Sequence, residues 1–532
     1  MALPALPMVL VGRPELAVYA MLGSFTTTFG PDLPYPRRAR VLALIAVAMT
    51  VCVGSGTALA AWAQPRAGGT GAVVVVVAMA AVAGPAKFAC DAARLGGLGA
   101  VLLLFSFAVA ANGSPAFADV LPRTGLAALG AAVAWVLAVL GRLVHPDRPQ
   151  RLAVAAALRA LADLLEAAGA GERCVRFRHR ATAAVLQAYR SLGRMPPTAA
   201  DRGDQADRGD RGGVCVRLTD FSWSLLIDSA RRPPDDPAGT ALHLRRQGRL
   251  LADRRRRVPT LLPELSLPEP APADRTTRRA AELVRGKQPG TPAHRHFLIV
   301  PALRIALGTG LAGALAIALG LGHGYWAAIS AAAVLHSVNV RTAAQRAVQR
   351  TLGTVAGLLL AFGVLAARPE PAALVLVIVL LEFLLEYVVT RNYGLGVVFL
   401  TPLALLLTDL AAPEPAGALV LDRALGSVLG IVVGLTCALL VVHDRAALRV
   451  ERALAACGEA AARAERALAG RPAPASPVVQ AQLAAAVVEL READDAAAGE
   501  LWPAGIDPAE LAAAEQRAYL LLELLLRPRA RW

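Results

Sequence analysis

The chain has 532 residues, of which 56% are apolar, 5% aromatic and 18% charged, with a mean hydropathy of +0.51. That balance excludes a water-soluble protein of this size and places the chain in a lipid bilayer. The formal net charge of +15 does not indicate nucleic acid, because the arginines are diluted by Ala, Leu, Asp and Pro without the aromatic spacing of base-stacking platforms.

The first residues, MALPALPMVLVGRP, have no basic n-region and no A-x-A site, so insertion relies on the spans themselves. A helix needs roughly 20 apolar residues to cross the hydrocarbon core. Apolar runs near 14–30, 41–62, 71–89, 95–111 and 122–144 make a first membrane half over 1–145. A polar insert over 146–296 follows, carrying 28 of the 55 Lys and Arg. Within it RLAVAAALRALADLLEAAGA (151–170) has Leu and Ala at helical spacing, ADRGDQADRGDRGG (200–213) is a low-complexity break, and VPTLLPELSLPEPAPADRTT (258–277) is a Pro-rich linker. Runs near 298–320, 324–339, 351–366, 372–390, 393–410 and 422–443 make a second half over 297–443, and 444–532 is a helical tail. The expected fold is an all-α polytopic membrane protein of five plus six spans with helical cytoplasmic segments.

Basic residues set the orientation. Arg37, Arg38, Arg40, Lys87, Arg94, Arg341, Arg346 and Arg350 fall on the side of the insert and tail, which the positive-inside rule makes cytoplasmic. Arg66, Arg123, Arg368 and Arg423 lie near the opposite ends and read as snorkelling exceptions. Six scattered cysteines form no CxxC pair, and His294 and His296 stand alone, so neither a disulfide framework nor a metal site is expected.

The halves resemble each other. Gly12-Arg-Pro-Glu-Leu-Ala17 matches Gly322-His-Gly-Tyr-Trp-Ala327, Arg94 to Gly99 matches Arg391 to Gly396, and Val144-His145 matches Val442-His443. Both copies run in the same direction, which predicts a parallel repeat about an axis along the membrane normal. The run at 298–320 has no partner in the first copy. Either the reading frame starts upstream of Met1 or that helix is lacking, and the upstream start is preferred.

Candidate functional residues gather in the second half. Arg391-Asn392-Tyr393-Gly394 reads as a tight cytoplasmic hairpin, and Thr401-Pro402 puts a break halfway along a span. Either the Thr hydroxyl satisfies that kink or a cavity lies beside it. Glu382 and Glu386 share a helical face just before Arg391, either as a structural pairing or as a proton-accepting carboxylate beside an anion-attracting guanidinium. Arg304 is an anchor or a substrate counter-charge. Tyr325-Trp326 is an interfacial aromatic element or part of the pathway. Arg341, Arg346 and Arg350 form a basic cytoplasmic cluster entering the next span, with Gly353 and Gly357 offering a close-packing face.

The stretches GHGYWAAISAAAVLHSVNVRTAAQRAVQRTLGTVAGLLLA and EYVVTRNYGLGVVFLTPLALLL resemble the fusaric-acid-resistance (aromatic acid exporter) family of bacterial inner-membrane proteins, strongly over 297–445 and weakly over 10–150. The resemblance implies efflux of aromatic or other organic acids, with a distant likeness to plant anion channels. The shortened first copy departs from the family pattern. Together these readings predict a proton-coupled inner-membrane exporter of small organic acids, since no GxxxxGK[ST] loop is present to use ATP. A passive organic-anion channel and a non-transporting membrane scaffold are the alternatives. No catalytic constellation and no cofactor is read; the expected partners are the bilayer and the organic acid, with a homo-oligomer left open.

Overall fold

The computed structural model describes residues 2–31, 33–65, 69–93, 95, 99–113, 115–169, 174–192, 213–229, 234–255, 261–262, 292–337, 340–389, 392–411, 414–440, 443–469, 477–498 and 507–526. Among these residues are nineteen α-helices, one short 3-10 turn and no strand. The first half holds α1 (Ala2–Leu10), α2 (Pro14–Ser24), α3 (Tyr35–Ala63), α4 (Thr70–Ala92), α5 (Gly99–Ala111) and α6 (Phe117–Val144). The insert adds α7 (Arg148–Gly169), α8 (Val175–Leu192), α9 (Gly213–Asp228) and α10 (Pro237–Ala252). The second half follows as α11 (Pro292–Ala318), α12 (Tyr325–Leu335), α13 (Val340–Ala366), α14 (Pro371–Val389), α15 (Tyr393–Ala411) and α16 (Ala416–Leu440). The tail forms α17 (His443–Ala469), α18 (Pro477–Ala497) and α19 (Pro508–Leu526).

Among the described residues eight helices, rather than eleven, are long and apolar enough to cross a membrane: α3, α4, α6, α11, α13, α14, α15 and α16. The runs expected at 14–30, 95–111 and 324–339 instead contain the short helices α2, α5 and α12, of 11, 13 and 11 residues. At 1.5 Å per residue these cannot bridge a hydrocarbon core of about 30 Å as helix alone. They are the central elements of the membrane body, and every residue of α12 is buried. Sequence that is apolar all round is what a central helix requires. The outer helices are apolar too but leave one side uncovered, such as Leu44, Val47 and Val51 on α3 and Leu352, Val355 and Leu359 on α13, which are exposed and face lipid.

A helix that ends inside a membrane must have its last carbonyls satisfied. At the end of α2 the hydroxyls of Thr26, Thr27 and Thr28 donate to the carbonyls of Gly23, Ser24 and Phe25 at 2.8, 3.3 and 2.8 Å. At the end of α12 the cap comes from Arg304, whose Nη2 donates to the carbonyls of Leu335 at 3.2 Å and Ser337 at 2.9 Å. A cation at the negative end of a helix is the favourable sign.

The two halves repeat one packing scheme. In the first, α3 lies on α5 and α6, α2 on α6, and α4 on α5; in the second, α13 lies on α15 and α16, α12 on α16, and α14 on α15. Across the junction α11 packs along α4 and α1 against α14, while α5 meets α12 and α15 meets α2. The nine-residue α1 therefore occupies the place of α11, so the 298–320 run does have a short counterpart.

Insert and tail, separated by the whole second half in sequence, share one hydrophobic core. Leu158, Leu161, Leu218 and Leu244 of the insert pack in the same cluster as Val450, Leu483 and Leu522 of the tail. The cluster is distinct from the membrane core.

Candidate functional site

The site is built on α12, the short buried helix of the second half. Gly426 of α16 lies so close to α12 that a Cβ there would stand 2.9 Å from the Trp326 Cβ. That approach lays the next side chain up the helix, Arg423, on the indole, with its Cζ 4.1 Å from the ring centroid. A cation at this distance from an aromatic face is attracted by the ring quadrupole, most strongly when both are desolvated. One turn along α12, Ser330 Oγ accepts from Nη2 of Arg350 at 3.1 Å, and Nη1 of Arg350 donates to the Tyr393 hydroxyl at 3.4 Å. Arg350 and Arg423 are 1% and 2% exposed, and both are held on α12, through Ser330 and Trp326.

Neither arginine forms an ion pair with a carboxylate among the described residues. Nε and Nη1 of Arg423, Nε of Arg350 and Nε1 of Trp326 are buried without a hydrogen-bond partner, as are the hydroxyls of Thr354, Thr401 and Ser427. Guanidinium and indole groups only donate. Two buried cations with spare donors and, among the described residues, no counter-charge form an uncompensated arrangement, which costs several kcal/mol per ion in a low-dielectric interior. A bound anion would provide both counter-charge and acceptor.

Aromatic rings extend the site across the junction of the halves. Tyr325 and Trp326 stand 4.5 Å apart by ring centroid, Phe105 of α5 stacks on Trp326 at 6.3 Å and 29°, and Phe25 meets Phe105 edge-on at 6.0 Å. Towards the helical body the Tyr393 ring lies under Arg346, at 5.5 Å. Arg423, Arg350 and Arg346 thus form a descending series of cations bordered by Trp326 and Tyr393.

The other candidates are placed as follows. Tyr325 and Trp326 are buried in the protein, 4% and 0% exposed, and are not a belt at the lipid interface. Arg304 is the helix cap described above. Arg341 is exposed. Asn392 is exposed and caps α15, its Oδ1 accepting from the Leu395 N–H at 3.2 Å. Glu382 is buried, whereas Glu386 is exposed and accepts from the Thr27 hydroxyl of the first half at 3.1 Å. Arg391 lies outside the described residues, and with it the expected pairing to Glu386.

Pro402 leaves the carbonyl of Val398 without its usual partner, and the structure covers that oxygen with Gly357 of α13. A Cβ at Gly357 would stand 2.8 Å from the Val398 oxygen and 2.7 Å from the Thr401 Cβ. The Thr401 hydroxyl itself has no partner, so close helix packing meets the break, and the Thr hydroxyl does not.

Sequence reasoning missed the role of Arg423. The signal was a second repeat, Val120-Leu121-Pro122-Arg123 with Leu129-Gly130 against Val420-Leu421-Asp422-Arg423 with Leu429-Gly430, offset by 300. In the first half Arg123 likewise lies over an aromatic of the short helix, 4.9 Å from the Tyr19 centroid. There it bonds the Tyr19 hydroxyl and pairs with Asp119 at 3.5 Å. The second half has Leu419 in place of Asp119, and its arginine is left bare. Aligning Gly56 with Gly357, each packed on the fifth helix of its half, sets Arg350 opposite the buried Met49. The halves share a frame, but where the first has Met49 the second has a further buried arginine, Arg350.

Such a fold defines a multi-pass helical membrane protein, here with two arginines buried in its second half. Residues 311–437, which contain Trp326, Arg350, Tyr393 and Arg423, match the family model described as fusaric acid resistance protein-like. The chain is also similar to an uncharacterized membrane protein, YvaC, of Bacillus subtilis (strain 168), with 37% identity over 139 residues, 25% of this chain and 22% of that protein. The match thus spans about a fifth of the relative's length. No solved structure matches the chain.

Proposed function

We propose that the protein carries small organic anions, aromatic acids among them, outward across a bacterial inner membrane, with the insert and tail on the cytoplasmic side. One observation carries this reading: Arg350 and Arg423 are buried together without a carboxylate, beside an aromatic wall. A purely structural arginine pair would be expected to have acquired a carboxylate partner, as Arg123 has in Asp119. The anion enters from the basic face by way of Arg346 and reaches the Trp326 level within the second half, with Phe105 as the first half's contribution. This differs from a path running between the halves.

The proton gradient drives uphill movement in this reading, with the buried Glu382 as the carboxylate that takes up the proton. The match to a fusaric acid resistance protein-like model and the sign of the buried charge support an acid as cargo. The test is uptake of radiolabelled benzoate and other aromatic acids into inside-out vesicles energised by a pH gradient. Uptake should depend on Arg350 and Arg423 and should collapse with the gradient. Uptake that persists at the downhill rate without a gradient would make the protein a channel; uptake equal to that of vesicles lacking the protein would defeat transport of these acids.

A further inference from the structure

We infer that His323 is the pin of a proton-operated gate at the end of the pathway remote from the helical body, closed while the imidazole is protonated and released when it loses its proton. The inference rests on the anion-transport reading and concerns regulation of that same site. His323 lies in the turn between α11 and α12. Its Nδ1 is 2.8 Å from Asp422 Oδ2 on α16, and its Nε2 is 3.5 Å from Glu414 Oε1 just ahead of α16. One ring therefore ties together three segments that surround this end of the site.

The two protonation states of the ring differ in what they can hold. A neutral imidazole has one N–H and one lone pair, so either tautomer would turn a lone pair towards a carboxylate. Only the imidazolium can donate to both. When the proton leaves, the shorter bond to Asp422 is the one a remaining N–H retains, and the Glu414 arm becomes repulsive. Histidine is the side chain whose unperturbed titration falls between pH 5 and 8.

Among the described residues, the charged and titratable groups that meet the ring are Asp422 from α16, Glu414 just ahead of it and Tyr325 from α12; Arg423, the next residue on α16, lies over Trp326, and Asp409 of α15 stands behind Glu414. Asp409 Oδ1 accepts the Glu414 N–H at 3.4 Å, which ties Glu414 back to α15. The Tyr325 ring meets His323 edge-on at 5.8 Å and continues directly into Trp326. Gly322 passes so near Asp422 that a Cβ would stand 2.9 Å from Oδ2, so the turn is seated against α16. The column beneath the pin is Tyr325, Trp326 and Arg423, so in the transport reading an anion leaving the arginines in this direction passes His323 and its two carboxylates.

The test uses the full chain with its six cysteines replaced and Thr408→Cys added; Thr408 is buried beneath the pin, its hydroxyl 3.4 Å from that of Tyr325. Labelling by an impermeant methanethiosulfonate is followed at pH 5.5 and pH 8 with His323 intact, with His323→Arg as a permanent cation, and with His323→Ala as an open mouth. Thiol ionisation affects all three equally and cancels in the ratios. At pH 5.5 the parent should match the Arg variant and at pH 8 the Ala variant, with the two variants differing about fivefold or more at each pH. Equal labelling in all three backgrounds at each pH, at normal membrane abundance, would overturn the gate. Benzoate flux is measured in parallel. Absence of flux in the parent at every pH counts against the transport reading, while the labelling ratios still decide the gate.

Discussion

Arg423 rests on Trp326, its Cζ 4.1 Å from the ring centroid, with two of its guanidinium nitrogens buried and without a partner. The indole attracts the cation but accepts no conventional hydrogen bond, so the arginine is held in place and remains available. Replacing it by Leu removes a buried charge, which often leaves stability unchanged or improved. Arg423→Leu should therefore reach the membrane at parental abundance while benzoate uptake falls by about tenfold or more, the loss of one charge-assisted contact. Arg423→Lys keeps the charge without the planar fork and should fall between the two. Reduced abundance of the Leu variant would show that the arginine serves the fold.

Arg350 offers a complementary test because the first half supplies its replacement. Arg350→Met introduces the residue that stands opposite it in the repeat, Met49, in an equally buried setting. Uptake should be lost with little change in abundance. Tyr393→Phe removes only a 3.4 Å contact and should raise the half-saturating benzoate concentration by a few fold, about 1 kcal/mol or less. If Tyr393→Phe were as damaging as Arg350→Met, Tyr393 would itself be contacting the anion.

Much of this architecture could be read from the chain. Apolar runs located the helices, and the Arg-rich insert and tail separated a polar body from a membrane body. Central position was not legible, because a buried helix and a lipid-facing helix are equally apolar. Tyr325-Trp326 thus read as well at an interface as in a core, and the short helices read as full spans. Arg423 was obscured for a related reason: near a helix end an arginine can snorkel, and only the packing of Gly426 on Trp326 turns it inward. That insert and tail share a core also escaped notice, since two amphipathic stretches far apart in sequence do not name their partners.

Small residues at the helix crossings give a test of the frame alone. A Cβ at Gly430 would overlap the Ala327 carbonyl oxygen and stand 2.6 Å from the Ser330 Cβ, and a Cβ at Gly130 would overlap the Ala20 carbonyl oxygen. Backbone cannot yield as a side-chain tip can, and overpacking of this kind costs about 1–3 kcal/mol or more. Gly430→Ala and Gly130→Ala should each lower the thermal midpoint of the detergent-solubilised protein. Gly125→Ala, which meets nothing within 4 Å, should leave it unchanged or raise it. Similar midpoints for all three would contradict the packing of α12 on α16 and α2 on α6.

Orientation is tested by single cysteines in a cysteine-free chain. Gly417, exposed at the start of α16, should react with an impermeant maleimide in intact cells, and Ala156, exposed on α7, only after lysis. The opposite pattern would invert the direction of transport and place the His323 turn in the cytoplasm.

The helical body should be more stable in mild acid than at neutral pH, because of Glu515. Burial pushes its carboxyl above the usual range, and Arg491, the cation that counters this, is 3.9 Å away and shared with Asp494 at 3.4 Å and Asp495 at 3.3 Å. With the folded value raised, the folded state holds more protons than the unfolded chain between the two values, so stability falls as pH rises through that window. The contribution is fully present below the unfolded carboxylate value and lost above the folded one. Glu515→Gln, which cannot ionise, should remove part of this slope and leave the body more stable than the parent at pH 7. Thermal unfolding of the full chain in detergent at several pH values from 4 to 8, followed by labelling of the buried Cys457, reports on this body directly. A parent and variant with parallel profiles would mean that Arg491 fully compensates Glu515 in solution. A variant less stable than the parent at pH 7 would mean that the Arg491 to Glu515 pair holds α18 and α19 together despite its length.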